Sequence, residues 1–151
     1  MGATSAVRHV ELDPGRAWEL WTDVGRWPTF VEGFARPVER PADWPGEGAR
    51  LVWTSTPGGR GQVTERVVAS ELGTTFATQV FEDALTGTQL VTFAAADDGR
   101  TRVELRLDYR LTRYGPLQVV ADALFIRRAI NQALNRTLAR FAIEAAEEAS
   151  L

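Results

Sequence analysis

Seven segments of the chain carry apolar residues in the patterns that β-strands show. The alternation is cleanest in the last of them, where every second residue from Val103 to Leu111 is apolar or aromatic. Turn residues separate the segments: Asp98–Gly99 is typical of a tight hairpin, and Thr86–Gly87 is predicted to form the turn before the sixth strand. The predicted strands comprise residues 7–12, 35–40, 49–56, 62–72, 75–83, 89–96 and 101–112.

Three helices are predicted around these strands. Asp13 is a favourable N-cap and Pro14 suits the first helical position, so a helix begins there and ends at Gly25. A second short helix is predicted for residues 27–33. After the Tyr114–Gly115 break, residues 117–148 contain neither Pro nor Gly and predict one helix of about 30 residues, near 45 Å long. Its apolar stripe comprises Val119, Ala123, Ile126, Ile130, Leu134, Leu138 and Phe141.

The order strand, two helices, six strands and one long helix predicts an α+β fold with a seven-stranded antiparallel sheet, in one domain over residues 1–151. A sheet of this size, curved around one helix, often cannot be filled by side chains along its whole length. We therefore expect an internal cavity that binds a small hydrophobic molecule.

Composition narrows the possible chemistry. The chain has no cysteine and no lysine, its 17 basic residues are all arginine, and its net charge is −3. This excludes thiolate and Schiff-base chemistry and argues against nucleic-acid binding. His9 is the only histidine, and a structural role is favoured over catalysis. We expect no cofactor, no metal and no membrane insertion, and a cytoplasmic bacterial protein that is a monomer or a homodimer.

Four sequence motifs carry a resemblance to a known superfamily. They are Leu12–Asp13–Pro14 followed by Trp18, the segment from Asp23 to Pro28, the segment from Gly48 to Trp53, and the segment from Gly99 to Leu105. With this order of elements, the whole chain resembles the helix-grip superfamily of START domains, the birch-pollen allergen and polyketide cyclases, which is also called SRPBCC. The nearest group is the bacterial polyketide cyclase/dehydrase and lipid-transport group.

The resemblance implies a helix-grip fold and a polyketide, lipid, sterol or aromatic ligand. Some relatives are aromatase/cyclases in which an arginine on the strand after the Trp53-type strand polarises a ketone. Arg66 is the matching position here, and Phe34 lies where those enzymes can carry a tyrosine.

Candidate ligand contacts come from several elements. Trp53 could stack on a planar ligand, and Phe30 and Phe34 are expected at an entrance or lid. Arg127 and Asn131 fall within or beside the apolar stripe of the long helix, where they either face the cavity or reach solvent at its rim. The expected ligand-binding residues are Phe30, Phe34, Trp53, Phe93, Tyr109, Arg127 and Asn131.

Arg66, Tyr109 and Arg127 are the candidate catalytic residues. The strand pattern favours an outward Arg66, whereas the resemblance implies an inward one. Glu65, Glu82 and Asp83 are interpreted as solvated residues on the outer face of the sheet.

Three functions remain open. The first is non-catalytic binding of a small hydrophobic molecule, and the second is a cofactor-independent polyketide cyclase or dehydratase that acts in the same cavity. The third is a co-chaperone-like interaction module, for which the acidic residues between Glu144 and Glu148 are the only indication.

Overall fold

The computed structural model describes residues 2–112 and 116–151, with only the backbone described for residues 116–122. The strands are β1 (Gly2–Val10), β2 (Phe34–Glu39), β3 (Arg50–Ser55), β4 (Gln62–Glu71), β5 (Thr75–Phe81), β6 (Leu85–Ala95) and β7 (Thr101–Leu111). The helices are α1 (Pro14–Thr22), α2 (Trp27–Phe30) and α3 (Pro116–Ala149). The predicted break at Tyr114–Gly115 lies outside the described residues.

The strands form one sheet in the order β1–β7–β6–β5–β4–β3–β2, and every neighbouring pair is antiparallel. The predicted α+β class and the curved seven-stranded sheet with a long C-terminal helix are confirmed. β1 is longer than predicted, since it pairs with β7 from Gly2 opposite Tyr109 to Val10 opposite Thr101. The first and last strands therefore lie side by side, and α3 packs against both.

The predicted turn at Thr86–Gly87 is wrong, because both residues lie within β6. Gly87 pairs with Val80 of β5 and Tyr109 of β7, so it belongs to the interior of the sheet. A Cβ atom at this position would clash with the backbone carbonyl oxygen of Asp108. This glycine serves a close backbone approach between strands, which is a recognised role of glycine inside a sheet.

The short helices begin as predicted and end earlier. The Asp13 side chain accepts a 2.9 Å hydrogen bond from the backbone N–H of Arg16, which caps α1. α1 ends at Thr22 rather than Gly25, because the Asp23 carboxylate accepts from the Gly25 N–H and starts a 3₁₀ turn over Val24–Arg26. α2 follows directly and ends at Phe30, before the left-handed Gly33 (φ +76°).

Within residues 123–149 of α3, whose side chains the structure describes, the buried apolar stripe lies in the C-terminal half. The buried apolar residues there are Leu134, Leu138, Phe141 and Ala145, whereas Ile126 and Ile130 are half-buried. Ala123 was expected in the stripe but is exposed, and the side chain of Val119 lies outside the described part of the helix. The apolar stripe predicted from the sequence includes Ala123, whereas the observed buried stripe begins further along the helix.

An aromatic core fixes the short helices against α3. Trp21, Phe30 and Phe141 form three mutual ring contacts with centroids 5.1–5.5 Å apart. Pairs of this geometry contribute about 1 kcal/mol each beyond their buried area. Arg26 adds ion pairs at 3.0 Å to Glu144 and Glu148 of α3. These contacts hold α1 and α2 against the C-terminal part of α3, and a pocket remains beside them.

Candidate functional site

A pocket of about 260 Å³ lies between α3, the end of α2 and the inner face of the sheet. Its volume is close to the lower limit of roughly 300 Å³ that is usual for small-molecule sites. Most of its wall is apolar, and a few polar side chains meet at one end. The described residues that line it are Trp21, Trp27, Val31, Glu32, Trp53, Arg60, Glu65, Glu82, Leu85, Gln89, Leu105, Leu107, Ala129, Ile130, Ala133, Leu134 and Thr137.

Glu65 lies at the polar end of the pocket and is only 4 % exposed. It shares the inward face of β4 with Val63 and Val67, because residues two apart along a strand point to the same side. The Trp53 indole N–H donates to Glu65 Oε2 at 2.7 Å, and the Thr78 hydroxyl donates to Oε1 at 2.9 Å. Neighbouring strands on both sides therefore supply one hydrogen-bond donor to each carboxyl oxygen.

Burial raises the pKa of the Glu65 carboxyl above its usual range, and the nearby negative charge of Glu82 acts in the same direction. The hydrogen bonds from Trp53 and Thr78 and the positive charge of Arg60 oppose this shift, but burial is the larger influence. A carboxyl group with a raised pKa can hold a proton under conditions in which surface glutamates are ionised. Such a group can donate a hydrogen bond or exchange a proton with a bound molecule.

Arg60 and Glu82 form the outer part of the same polar end. Arg60 lies in the glycine-rich connection between β3 and β4, and its Nε donates to Glu82 Oε2 at 2.6 Å. Its guanidinium also lies over the Trp53 ring, 5.1 Å from the centroid. The Glu82 side chain is 6 % exposed, so the ion pair holds a buried carboxylate at the edge of the pocket.

The segment after α2 closes the opposite side. Val31 and Glu32 line the pocket, and the backbone N–H of Glu32 donates to the Thr137 hydroxyl at 3.0 Å. The Glu32 carboxylate accepts from Arg136 at 3.0 Å and from Arg140 at 2.7 Å. The backbone and the side chain of one glutamate therefore both fasten this segment to α3.

The predicted ligand-binding residues are distributed differently from expectation. Trp53 lines the pocket, whereas the other six do not appear among the described lining residues. The expectation that Phe30 and Phe34 lie at an entrance is wrong, because both are buried in the aromatic core. Phe34 packs against Trp27 and Trp53 with ring centroids 5.7 and 5.0 Å apart. Phe93 is likewise a buried core residue.

The residues expected at the long helix lie outside the pocket as well. Arg127 is exposed. Asn131 is half-buried, but its amide donates to Thr4 Oγ1 at 2.8 Å and to the Ser5 carbonyl at 2.9 Å. Asn131 therefore joins α3 to β1. Tyr109 is buried on β7, where burial raises the pKa of its phenol and the charge of Arg127 opposes that shift.

Arg66 is exposed on the outer face of β4, as the strand pattern favoured and contrary to the inward orientation that the resemblance implied. It pairs across the sheet with Arg50 and Gln79. The two candidate catalytic arginines, Arg66 and Arg127, thus both reach solvent.

The interpretation of Glu65 and Glu82 as solvated outer-face residues is wrong, whereas Asp83 is exposed as expected. The sequence contains a signal for Glu65, since it falls in phase with Val63 and Val67. Arg60 has no comparable signal, because a hairpin connection has no periodicity that orients its side chains.

The fold and the pocket together define a START-like helix-grip protein. The family described as polyketide cyclase/dehydrase and lipid transport matches residues 1–146, and the chain belongs to this family. The comparison with curated proteins gives no match. None of the described helices is both long enough and apolar enough to cross a membrane.

Solved structures with the same fold have low sequence identity. The protein TTHA0849 from Thermus thermophilus is 17 % identical with a TM-score of 0.74, covering 97 % of this chain and 99 % of its own. A START superfamily protein from Mycobacterium smegmatis is 12 % identical with a TM-score of 0.74, at 96 % and 97 % coverage. Norcoclaurine synthase from Thalictrum flavum, solved as a point mutant with a transition-state analogue, is 14 % identical with a TM-score of 0.70, at 97 % and 95 % coverage. These similarities establish the fold alone.

Proposed function

We propose that the protein binds a small, mainly apolar molecule in the pocket beneath α3. The observation that carries the proposal is a space of about 260 Å³ with tryptophan, leucine and isoleucine walls and a small number of polar side chains. Binding sites for small molecules typically combine an apolar wall with a few placed polar groups. Membership of a family described by polyketide and lipid ligands supports the same conclusion.

A buried indole N–H group in the pocket wall also supports the proposed binding function. The Nε1 atom of Trp21 has no hydrogen-bond partner among the described residues, although the residue is only 2 % exposed. The other four indole N–H groups all donate to a protein acceptor. Buried polar groups are usually satisfied, so this exception in a residue of the pocket wall favours a role in binding.

The test is calorimetric titration with 1-naphthylmethanol, a neutral aromatic probe. Ala133 lines the pocket and Gln132 beside it on α3 is exposed, so the same bulky side chain can be placed inside or outside. We expect one site per chain, at least about tenfold weaker binding in Ala133→Phe, and unchanged binding in Gln132→Phe. Equal binding by the wild type and Ala133→Phe, or no binding by the wild type, would contradict the proposal.

Acid–base catalysis in the same pocket is the second candidate function. Glu65 favours it, because a carboxyl group with a raised pKa beside an apolar wall can act on a carbonyl compound without a cofactor. The simplest such step is enolisation: the Glu65 carboxylate takes a proton from the carbon next to a carbonyl, and the C–H electron pair forms the enolate. A cyclase or dehydratase acting on a polyketide would use this step.

Proton exchange tests this candidate directly. 1-Acetonaphthone in D₂O should exchange its methyl protons for deuterium faster with the wild-type protein than with Glu65→Gln, by at least about tenfold. The methyl signal in proton NMR reports the exchange. Exchange at the buffer rate in the presence of bound wild-type protein would exclude Glu65 as a catalytic base for ketones.

A further inference from the structure

The polar end of the pocket holds more negative than positive charge. Two carboxyl groups, Glu65 and Glu82, meet there, and Arg60 is the one cationic side chain among the described lining residues. Arg60 is already committed to Glu82 through its 2.6 Å hydrogen bond. Glu65 therefore has hydrogen-bond donors but no ion-pair partner of its own within the described pocket.

The charged and titratable groups around Glu65 come from a limited set of elements. β3 contributes Trp53 and β5 contributes Thr78, both of which are neutral donors. The β3–β4 connection contributes Arg60, and the residue after β5 is Glu82. The lining residues of β6 and β7 are uncharged, and α3 contributes no charged lining residue in its described part.

On the side of α2, Glu32 is the remaining charged lining residue. It is paired with Arg136 and Arg140, which lie about half-exposed on the solvent side of α3. These arginines therefore neutralise Glu32 rather than Glu65.

The hydrogen bonds at Glu65 suit its ionised form. A carboxylate accepts at both oxygens, and both receive a donor from the protein. Burial and the charge of Glu82 are the influences that disfavour ionisation. A positive charge placed in the pocket would offset both of them, because it would pair with the buried carboxylate and screen it from Glu82. A further negative charge in the pocket would instead make ionisation of Glu65 still less favourable.

We infer that the pocket selects apolar molecules that carry a protonated amine, which lies beside Glu65 between the polar end and the tryptophan wall. This inference rests on the proposed binding function and adds the charge of the ligand. Trp53 contacts Glu65 directly, and the indole rings of Trp21 and Trp27 line the same pocket. Cations bind favourably against indole rings. Fatty acids and other apolar carboxylates are disfavoured, since their head group would meet Glu65 and Glu82 together.

Proton release is a second consequence. The ammonium group stabilises the carboxylate form of Glu65, so protein molecules that hold the Glu65 proton before binding lose it on binding. The number of protons released depends on pH. It is largest between the pKa of Glu65 in the complex and its higher pKa in the free protein. Neutral ligands cause no such release.

Three naphthalene probes of similar size test the charge preference: 1-naphthylmethylamine, 1-naphthylmethanol and 1-naphthoate. Calorimetric titrations of the wild type should give binding of the amine about tenfold or more tighter than the alcohol, and the acid weakest of the three. In Glu65→Gln the amine should lose its advantage over the alcohol, so that the two probes bind about equally well. A cooperative urea unfolding transition shows that the variant has folded.

Glu71→Gln is the matched control, because Glu71 lies on the same strand and is exposed. It should behave as the wild type with all three probes. Repeating the amine titration in buffers with different ionisation enthalpies should show proton release in the wild type and none in Glu65→Gln. Equal affinities of alcohol and amine, or tightest binding of the acid, would overturn the charge preference and leave the binding function standing. Failure of all three probes would overturn both.

Discussion

At the scale of single residues, Glu65 links the stability of the protein to the chemistry of its pocket. Its carboxyl group is buried, is held by two donors, and has a pKa above the ordinary value of 4.5. The folded state therefore binds this proton more strongly than the unfolded state does. The contribution of the proton to stability is complete below about pH 4.5 and is lost as the pH rises through the folded-state pKa.

This linkage predicts a pH-dependent difference between the wild type and Glu65→Gln. The free energy of unfolding of the wild type, measured with urea, should lose the contribution of the Glu65 proton as the pH rises above 4.5. Glutamine does not titrate, so Glu65→Gln has no such contribution to lose. The difference in unfolding free energy between the two proteins should therefore shift in favour of Glu65→Gln as the pH rises. Glu71→Gln should run parallel to the wild type, and the same parallel course for Glu65→Gln would contradict the raised pKa.

Residues of the site differ in how far the sequence could predict them. Trp53 lies two residues from Leu51 and from Ser55 on β3, and this alternation places it on the inner face with them. The same alternation places Glu65 inward, but the usual exposure of glutamate argued against that interpretation. Arg60 and Glu82 could not be predicted, since their meeting depends on two loops that only the folded sheet brings together.

At the scale of elements, the glycine in β6 shows why strand boundaries were harder to predict than strand number. Glycine next to threonine resembles a turn locally, yet Gly87 is needed where β6 passes close to the backbone of β7. The helix starts, by contrast, follow from local capping chemistry, and Asp13 caps α1 as predicted. Local interactions could be predicted from the sequence, whereas a close backbone approach between two paired strands could not.

Because the backbones of β6 and β7 approach closely at Gly87, we expect even alanine at this position to destabilise the protein. Gly87→Ala places a methyl group against the Asp108 carbonyl, so β6 and β7 must separate locally. We expect a loss of about 1–3 kcal/mol in the free energy of unfolding, measured by urea denaturation. Thr88→Ala is the control, because Thr88 is exposed on the same strand and should change stability by less than about 1 kcal/mol. An unchanged free energy of unfolding in Gly87→Ala would show that β6 and β7 do not approach this closely.

At the scale of the whole molecule, the C-terminal part and the middle of α3 have different surroundings. Towards its C-terminus, aromatic contacts and the ion pairs of Arg26 fill the space between α3 and the short helices. Further towards its N-terminus, Ile130 and Ala133 face open space above the sheet. The predicted fold implied a cavity in general terms, but its position depends on where the aromatic core ends.

The most direct test of binding in this pocket uses the indole N–H signals of ¹⁵N-labelled protein. Trp53, Trp21 and Trp27 line the pocket, while Trp18 packs against Phe76 and donates to the Thr75 carbonyl away from it. Signals can be assigned through single Trp→Phe variants. Titration with 1-naphthylmethanol should shift the signals of Trp53, Trp21 and Trp27 in a saturable way and leave Trp18 in place. Saturable binding that moves Trp18 and leaves Trp53 unchanged, or no shift of any indole, would contradict a ligand site beneath α3.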